Sequence, residues 1–207
     1  MSVHIVDHPL VQDALIQLRN VATTPDQFRR VANRISVLLA AEAMRDLPTI
    51  AATVDSPLGP AQGKRVTGDV VVVPVLRAGL GMLDAVLQLL PSARVGHIGL
   101  QRDELTAIAS RYYSKLPGDL TCSYVLVIDP MLATGGSAVA ALDLLRQAGA
   151  RDVRLVCIVA APEGVALLAE HHPDVNVYTP VVDHCLNTDK FILPGLGDFG
   201  DRLYGTQ

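Results

Sequence analysis

The sequence predicts an α/β fold in which helices cover both faces of a parallel sheet. From residue 70 onward, short apolar runs of strand length alternate with segments of helical periodicity, as in a doubly wound sheet. Two of these runs, VVVVPV at 70–75 and VLVI at 125–128, are apolar throughout, as expected of strands buried on both faces. Ligands of such sheets bind at the carboxyl ends of the strands, so chemistry is expected where each run ends.

The composition excludes several classes of protein. The 207 residues fit a single domain, 1–207, and no apolar run approaches the roughly 18 residues that span a bilayer. The N-terminus has no basic segment followed by an apolar core, so we expect no secretion signal and no membrane partner. A net charge of −4 disfavours nucleic acid as a partner. Three cysteines without a CxxC pair favour reduced thiols, and hence the cytoplasm, over disulfides or zinc.

Two amphipathic helices are expected in the N-terminal part of the chain, 9–46. The first spans 9–20 and places apolar residues at helical spacing. The second begins at Thr24-Pro25, a cap followed by proline, with a glutamine three residues after the cap. Residues 48–69 are rich in Pro, Gly and Thr, and we expect an arm or hairpin there.

The α/β core is expected over 70–180. Strands are predicted at 70–75, 94–100, 125–128, 153–159 and 175–179, and helices at 80–90, at 138–147 and from Pro162. Between the second and third strands, residues 101–121 are polar and poorly periodic, so we expect a long connecting loop of the kind that often carries function. Arg77, Arg102 and Asp129 each lie just past the end of a predicted strand.

The turn after the central strand has the composition of an anion-binding loop. The stretch 125–137 reads VLVIDPMLATGGS, so an acid ends the strand and two glycines precede a serine that opens a helix. Gly135 and Gly136 allow positive φ, so backbone N–H groups can converge on an anion near the helix N-terminus. No lysine follows the glycines, which excludes a Walker A loop. By itself the pattern also fits an ordinary strand-to-helix turn.

The C-terminal segment, 181–207, is rich in glycine. Gly195, Gly197 and Gly200 form a literal G-x-G-x-x-G, but Pro194 directly precedes them, which argues against a dinucleotide-binding βαβ unit. We expect a rigid loop that brings bare backbone close to a flat ligand.

Four motifs, taken together, resemble those of the uracil phosphoribosyltransferase family. They are VLRAGLGM at 75–82, DPMLATGGS at 129–137, APEG at 161–164 and PGLGDFGDRLYGT at 194–206. They occur in the family's order, and the match covers essentially the whole chain. The resemblance implies the type I phosphoribosyltransferase fold, with a Rossmann-like parallel core and a C-terminal hood that binds the base. It also implies a cytoplasmic salvage enzyme that transfers the 5-phosphoribosyl group from phosphoribosyl pyrophosphate (PRPP) to N1 of uracil, giving UMP and pyrophosphate.

The same resemblance implies the site residues. The catalytic set is Arg77, Arg102, Asp129 and Asp198, with both arginines on PRPP, because a guanidinium fork suits phosphate oxygens. Asp129 is expected at the ribose hydroxyls, and residues 133–137 around the 5′-phosphate. The residues implied to bind PRPP are Arg77, Arg102, Asp129, Pro130, Met131, Leu132, Ala133, Thr134, Gly135, Gly136, Ser137 and Asp198. Those implied to bind uracil are Ile192, Gly197, Asp198 and Phe199.

Uracil presents a carbonyl, an N–H and a carbonyl along one edge, which backbone groups of the C-terminal loop can match. Cytosine would be rejected, because its amino group would meet a donor. The resemblance implies Mg²⁺ as the cofactor, held mainly by PRPP and water rather than by a cage of carboxylates. No general base is evident. His97 and His184 are expected to be structural, and electrostatic positioning can suffice without a base.

The chain departs from the family pattern at three places. Phe199 stands where alanine is usual after Gly-Asp, so a large ring is expected beside the base pocket. In the expected lid over PRPP, at 101–117, Gln101 replaces a tyrosine and residues 109–112 replace Pro-Val-Pro-Tyr. Ala41 replaces an aromatic residue. Two alternatives therefore stay open: a divergent paralogue with altered base preference, and a non-catalytic sensor of PRPP or nucleotides that acts as a regulator.

The assembly and regulation of the chain are implied only by the resemblance and by its N-terminal helices. Together these imply a homodimer or a larger homo-oligomer. GTP activates some members of the family and is a candidate allosteric effector, although no residue pattern in this chain tests it.

Overall fold

The computed structural model describes residues 1–102 and 109–206, except for the side chains of 102 and 109–111. The strands are β1 (Val3–Ile5), β2 (Thr49–Ser56), β3 (Gly59–Val66), β4 (Asp69–Leu76), β5 (Arg94–Val95), β6 (His97–Arg102), β7 (Ala109–Lys115), β8 (Ser123–Ile128), β9 (Met131–Leu132), β10 (Asp152–Val156), β11 (Val159–Ala160), β12 (Asn176–Thr179), β13 (Cys185–Leu186) and β14 (Ile192–Leu193). The helices are α1 (Pro9–Arg19), α2 (Pro25–Ala43), α3 (Leu80–Leu89), α4 (Gly136–Gln147), α5 (Pro162–His171) and α6 (Phe199–Tyr204).

The main sheet confirms the predicted α/β fold. Its strands lie in the order β1-β12-β10-β8-β4-β6-β7, with β5 paired to β4. The strand pairs of this sheet are parallel except for β6 with β7, which is antiparallel. The central strands β4 and β8 pair from Asp69 with Ser123 to Pro74 with Ile128, so both end at the same edge. Arg77 follows one of these ends, and Asp129 follows the other.

Helices cover both faces of this sheet, which is why its central strands are apolar throughout. Successive side chains of a strand point to opposite faces. In β8, Leu126 packs in a buried cluster with side chains of α1 and α2, whereas Val127 packs in a second cluster with side chains of α4. All six residues of β8 are buried. The continuous apolar run therefore reflects burial on two sides.

The predicted N-terminal elements are also confirmed. Helix α1 begins at Pro9, and helix α2 begins at Pro25 with Thr24 as its N-cap. The Thr24 backbone N–H donates to Oε1 of Gln27 at 3.2 Å, the contact that the capping pattern predicts. Strands β2 and β3 form a two-stranded antiparallel hairpin, which is the predicted arm.

Some predictions about the middle of the chain are wrong. The expected loop at 101–121 contains β7, an edge strand whose described side chains are mostly exposed and which therefore lacks a run of apolar residues. The strand expected at 94–100 is split at Gly96, and the strand expected at 153–159 is split into β10 and β11. The tip of the expected lid, 103–108, lies outside the described residues.

The edge strand β1 was not predicted. It pairs in parallel with β12, so the start of the chain completes one edge of the main sheet. Over the described residues, no helix combines the length and the apolar character that crossing a membrane requires.

Candidate active site

A cavity of about 370 Å³ lies at the carboxyl ends of β4 and β8. Its walls come from the turn after β4, the loop after β8, the first turn of α4 and the C-terminal segment. Most of the residues predicted from the sequence line it. These are Arg77, Asp129, Met131, Ala133, Ser137, Ile192, Gly197, Asp198 and Phe199. The fold thus brings together motifs from distant parts of the chain.

The turn after β4 presents Arg77, whose side chain is exposed. Gly79 closes this turn, because its N–H donates to the carbonyl of Val75 at 2.8 Å. A Cβ at Gly79 would lie 2.5 Å from the carbonyl oxygen of Ile128, the last residue of β8. Only glycine therefore lets the turn pack against the end of the neighbouring strand, which is why Arg77 and Asp129 face the same cavity. The Leu76–Arg77 peptide is cis.

The loop after β8 is fixed by backbone hydrogen bonds to the segment 156–161. The Asp129 N–H donates to the carbonyl of Val156 at 3.1 Å, and the carbonyls of Pro130 and Leu132 each accept from that segment at 2.8 to 2.9 Å. Pro130 and Leu132 are buried, and Leu132 packs in the core. These two residues, predicted to bind PRPP, do not line the cavity, and their carbonyl groups anchor the loop.

The glycines of this loop meet the start of α5. Gly135 is the N-cap of α4 with a φ of +86°, and a Cβ there would lie 2.9 Å from the carbonyl oxygen of Gly164. A Cβ at Gly164 would in turn lie 2.5 Å from the carbonyl oxygen of Ala133. The APEG motif is thus a close packing partner of the loop, a role that the sequence did not predict. Thr134 and Gly135, at the end of the loop, and Gly136, the first residue of α4, do not line the cavity.

The C-terminal segment closes the cavity with a hairpin, β13 and β14, that was not predicted. In the turn between these strands, Oδ1 of Asn187 accepts from the N–H groups of Asp189 at 3.0 Å and Phe191 at 2.8 Å. Asp189, Lys190 and Phe191 line the cavity and were missed by sequence reasoning. The signal that was available is the asparagine followed by polar residues, which is typical of a turn closed by the Asn side chain.

The end of the segment is helical, so the prediction of a continuous loop is wrong from Phe199 onward. Asp198 is the N-cap of α6, and its Oδ1 accepts from the N–H of Asp201 at 2.8 Å. Gly195 and Gly197 keep the loop conformation that was expected, with φ values of +55° and +80°. A Cβ at Gly195 would lie 2.1 Å from the carbonyl oxygen of Ile192, so no larger residue fits there.

Phe199 lines the cavity, as expected, but its ring is buried in the core behind the cavity wall. Phe199 is 1% exposed, and its ring meets that of Phe28 edge to face, with centroids 5.1 Å apart. A Cβ at Gly81 would lie 3.1 Å from Cε1 of Phe199, so α3 also packs closely on the ring. The core between α2, α3 and α6 therefore accommodates the bulk of this side chain.

The cavity is lined by charges of both signs. Arg77 and Lys190 supply positive charge, and the described carboxylates are those of Asp129, Asp189 and Asp198. Arg102 is the last residue of β6, but its side chain lies outside the described part of the chain. The guanidinium and ammonium groups suit the phosphates of an anionic ligand.

Tyr204 links α6 to the turn that carries Arg77. Its hydroxyl donates to the carbonyl of Arg77 at 3.3 Å. Burial raises the pKa of Tyr204, and the charge of Arg77 opposes this rise only in part. The hydroxyl therefore stays protonated at neutral pH and can keep donating.

The side chains that line the cavity fit a metal ion only in part. Among the residues that the structure describes, no group of three or more His, Cys, Asp and Glu side chains is arranged to hold one. Asp129 and Asp198 both line the cavity, and carboxylate oxygens are donors that suit Mg²⁺. Neither His97 nor His184 lines the cavity. His184 is exposed, and its backbone N–H donates to the carbonyl of Leu193 at 3.0 Å.

Known proteins match almost the whole chain. A family model described as uracil phosphoribosyltransferase matches residues 5–206. A uracil phosphoribosyltransferase from Dictyoglomus thermophilum is 52% identical over 204 residues, 98% of this chain and 99% of that protein. One from Pediococcus pentosaceus is 49% identical over 204 residues, 98% of each chain. The solved structure of the AQ2163 protein from Aquifex aeolicus matches with a TM-score of 0.94 at 35% identity and covers 99% of both chains.

Proposed function

The chain belongs to the uracil phosphoribosyltransferase family, and on that premise we propose that the cavity at the carboxyl ends of β4 and β8 is where it transfers the 5-phosphoribosyl group of PRPP to N1 of uracil. The products are UMP and pyrophosphate, so the enzyme serves uracil salvage. One observation carries the assignment to this cavity. The motifs of Arg77 and Asp129 and the C-terminal segment 192–199, which are far apart in the sequence, line it together.

The 5′-phosphate is assigned to residues 133–137, at the start of α4. Gly135, the N-cap, has no side chain that could satisfy the first N–H groups of this helix. The N-terminus of a helix carries the equivalent of roughly +0.5 charge, and its N–H groups point outward, so it attracts a phosphate. Ala133 and Ser137 line the cavity on either side of the glycines and so bring the phosphate into it.

Arg77 is assigned to the pyrophosphate of PRPP, together with Arg102. As the bond from C1 of the ribose to the pyrophosphate oxygen breaks, negative charge grows on the leaving group and positive charge grows on the ribose. Guanidinium groups stabilise the first of these charges. The carboxylates of Asp129 and Asp198, which line the same cavity, favour the second, and Asp129 is also assigned to accept hydrogen bonds from the ribose hydroxyls.

Uracil is assigned to the C-terminal wall of the cavity. Ile192, Gly197, Asp198 and Phe199 line that wall. The backbone groups of Ile192, Gly197 and Phe199 are assigned to the base, and Asp198 is assigned a position between the base and PRPP. A backbone carbonyl and two backbone N–H groups match the N–H and the two carbonyls of uracil. A base with an amino group at that edge would leave a donor facing a donor in a closed site, which costs orders of magnitude in kcat/KM. The bond that forms joins N1 of the base to C1 of the ribose as the bond from C1 to the pyrophosphate oxygen breaks, and the proton of N1 passes to water.

Mg²⁺ is proposed as a cofactor that enters with PRPP. When bound, it would neutralise charge on the pyrophosphate and orient the ribose. Asp129 and Asp198, which line the cavity, are the carboxylates proposed to help hold it, and most of its ligands would come from PRPP and water.

The oligomer, the effector and the location are further parts of the proposal. The arm formed by β2 and β3 pairs only within itself in the described part of the chain, and Leu58 at its tip is fully exposed. This favours an arm that packs on a second copy in a homodimer or a larger homo-oligomer, and sedimentation would refute it by finding a monomer. GTP is proposed as an activator, which rates measured with and without it would test. The three free cysteines favour the cytoplasm.

The two alternatives, a paralogue with altered base preference and a non-catalytic sensor, now have less support. Phe199 is accommodated by the core, so its bulk no longer argues for an altered base pocket or an inactive site. Gln101 and Ala41 are exposed and do not line the cavity. Formation of UMP from uracil, compared with products from other pyrimidines in one steady-state assay, separates the proposed enzyme from both alternatives.

A further inference from the structure

The loop proposed to bind uracil is held by an ion pair that does not touch the cavity. We propose that Arg19 and Asp183 clamp Gly195 and thereby pre-form the uracil-binding loop, so that they set the KM for uracil but not the KM for PRPP. This inference rests on the proposed function, because the loop in question is the one assigned to the base.

The clamp closes on both backbone groups of a single residue. The N–H of Gly195 donates to Oδ2 of Asp183 at 2.9 Å, and its carbonyl accepts from Nη1 of Arg19 at 3.0 Å. The two side chains pair through both guanidinium nitrogens, Nη2 to Oδ1 at 2.7 Å and Nη1 to Oδ2 at 2.9 Å. The Asp183 side chain is 4% exposed and that of Arg19 is 18% exposed, so water competes little for these contacts.

Gly195 is where such a clamp has most effect on the base site. It lies between Ile192 and Gly197, which both line the cavity. Its left-handed backbone and its close approach to the carbonyl of Ile192 leave no room for a larger residue, and Pro194 before it has no N–H to donate. A shift of Gly195 would therefore displace the backbone of both neighbours that face the base.

Each half of the clamp is fixed to a different layer of the fold. The Asp183 N–H donates to the carbonyl of Ala160 at 2.8 Å, which ties it to the end of β11. Arg19 is the last residue of α1, where a positive charge is favoured by the helix dipole. Neither residue lines the cavity, so both are positioning residues rather than catalytic ones.

A second arginine supports the same loop from the same end of α1. Nη1 of Arg202 donates to the carbonyl of Leu196 at 2.9 Å, and its Nη2 donates to the carbonyl of Asn20 at 2.6 Å. Two consecutive carbonyls of the loop, those of Gly195 and Leu196, are thus bound by guanidinium groups. The end of the first helix is therefore a support for the base site, although it lies more than 160 residues away in the sequence.

Loss of the clamp should affect uracil and PRPP differently. Without Arg19 the carbonyl of Gly195 loses its partner, so part of the order of the loop must be supplied when uracil binds, and ordering one residue of backbone costs about tenfold in an equilibrium constant. Among the residues that the structure describes, no hydrogen bond or ion pair joins Arg19 or Asp183 to Arg77 or to the loop 133–137, which is held by its own hydrogen bonds. We expect the KM for uracil to rise about tenfold in Arg19→Ala, with the KM for PRPP within about twofold of wild type.

The test measures both KM values in wild type, Arg19→Ala, Arg19→Lys and Arg34→Ala, with folding checked by circular dichroism. Arg34 pairs with Asp13 at 2.9 Å and also joins α2 to α1, but on an exposed surface away from the loop, so its variant should match wild type. Arg19→Lys keeps the charge and should lie between wild type and Arg19→Ala. If Arg19→Ala does not fold, the proposal is tested on Arg19→Lys, in which the KM for uracil should rise relative to the KM for PRPP.

Equal changes in both KM values, or no change in either, would overturn the clamp. Failure of the proposed function would look different, because the wild-type protein itself would then form no UMP.

Discussion

The rings of Phe28 and Phe199 meet edge to face, with centroids 5.1 Å apart and an interplanar angle of 64°. Phe28 belongs to α2, and Phe199 is the first residue of α6, directly after the loop that lines the base end of the cavity. The guanidinium of Arg202 lies over the Phe28 ring, 4.6 Å from its centroid. The end of the cavity assigned to the base is therefore built on the N-terminal helices, whereas the end assigned to PRPP is built on the sheet.

Phe199→Ala should reduce stability without changing the preferred base. Removing a fully buried ring leaves a cavity and costs about 3–5 kcal/mol in the free energy of unfolding. The backbone N–H proposed to bind uracil is kept, so uracil should remain the preferred pyrimidine. Urea unfolding and a base panel would check both statements.

Ile16→Ala, on an exposed position of α1, serves as the control and should change stability by about 0.5 kcal/mol or less. A variant of unchanged stability that prefers another base would contradict this assignment.

Arg77→Ala should lower kcat/KM for PRPP by about a hundredfold or more, because a charge-assisted contact to the leaving pyrophosphate would be lost. Arg77→Lys should recover part of the loss, since lysine keeps the charge but not the fork. Initial rates at varied PRPP would measure the effect. Arg30→Ala, which removes an exposed guanidinium on α2, serves as the control and should behave like wild type. A rate for Arg77→Ala equal to that of the control would remove Arg77 from the site.

Gly164→Ala should weaken PRPP binding from outside the cavity. The added Cβ would lie 2.5 Å from the carbonyl oxygen of Ala133, so the loop assigned to the 5′-phosphate must shift. We expect the KM for PRPP to rise about tenfold or more, because a displacement of about 1 Å in a positioning element can cost this much. Gly63→Ala, on the arm, meets no atom within 4 Å and should leave the KM unchanged. Identical KM values in the two variants would show that the loop tolerates the shift.

The carboxylate of Asp69 should make stability depend on pH in the acid range. The hydrogen bond from Arg94 is the main cause that holds its pKa below the ordinary value of 3.8. A lowered pKa means that the stabilisation is fully present above pH 3.8 and is lost as the pH falls through the lower folded value. Asp69→Asn should therefore cost up to about 1 kcal/mol at pH 7, discounted for exposure, and little near pH 2. Unfolding midpoints at several pH values would test this, and a difference that does not depend on pH would contradict it.

The sheet and the edge where the cavity lies could be predicted, because short stretches of sequence carry the patterns that indicate them. A strand buried on both faces must be apolar throughout, and a turn that needs positive φ favours glycine. Edge strands lack the first signal: β7 has mostly exposed described side chains, and β1 is three residues long. Both were therefore missed.

The remaining features of the site depend on contacts between distant residues. Gly79 and Gly164 are required because another backbone passes close to them, which nothing in their own motifs indicates. The pair of Arg19 and Asp183 is separated by 164 residues. The burial of the Phe199 ring could not be predicted, because its partner Phe28 lies in another helix, far away in the sequence.

The most direct test of the central claim is a steady-state assay of the purified protein with PRPP, Mg²⁺ and a panel of pyrimidine bases, with and without GTP. The account predicts that uracil is the preferred base and that UMP and pyrophosphate form in equal amounts. Absence of UMP at saturating PRPP and uracil with GTP present, or preferential use of another base, would contradict it.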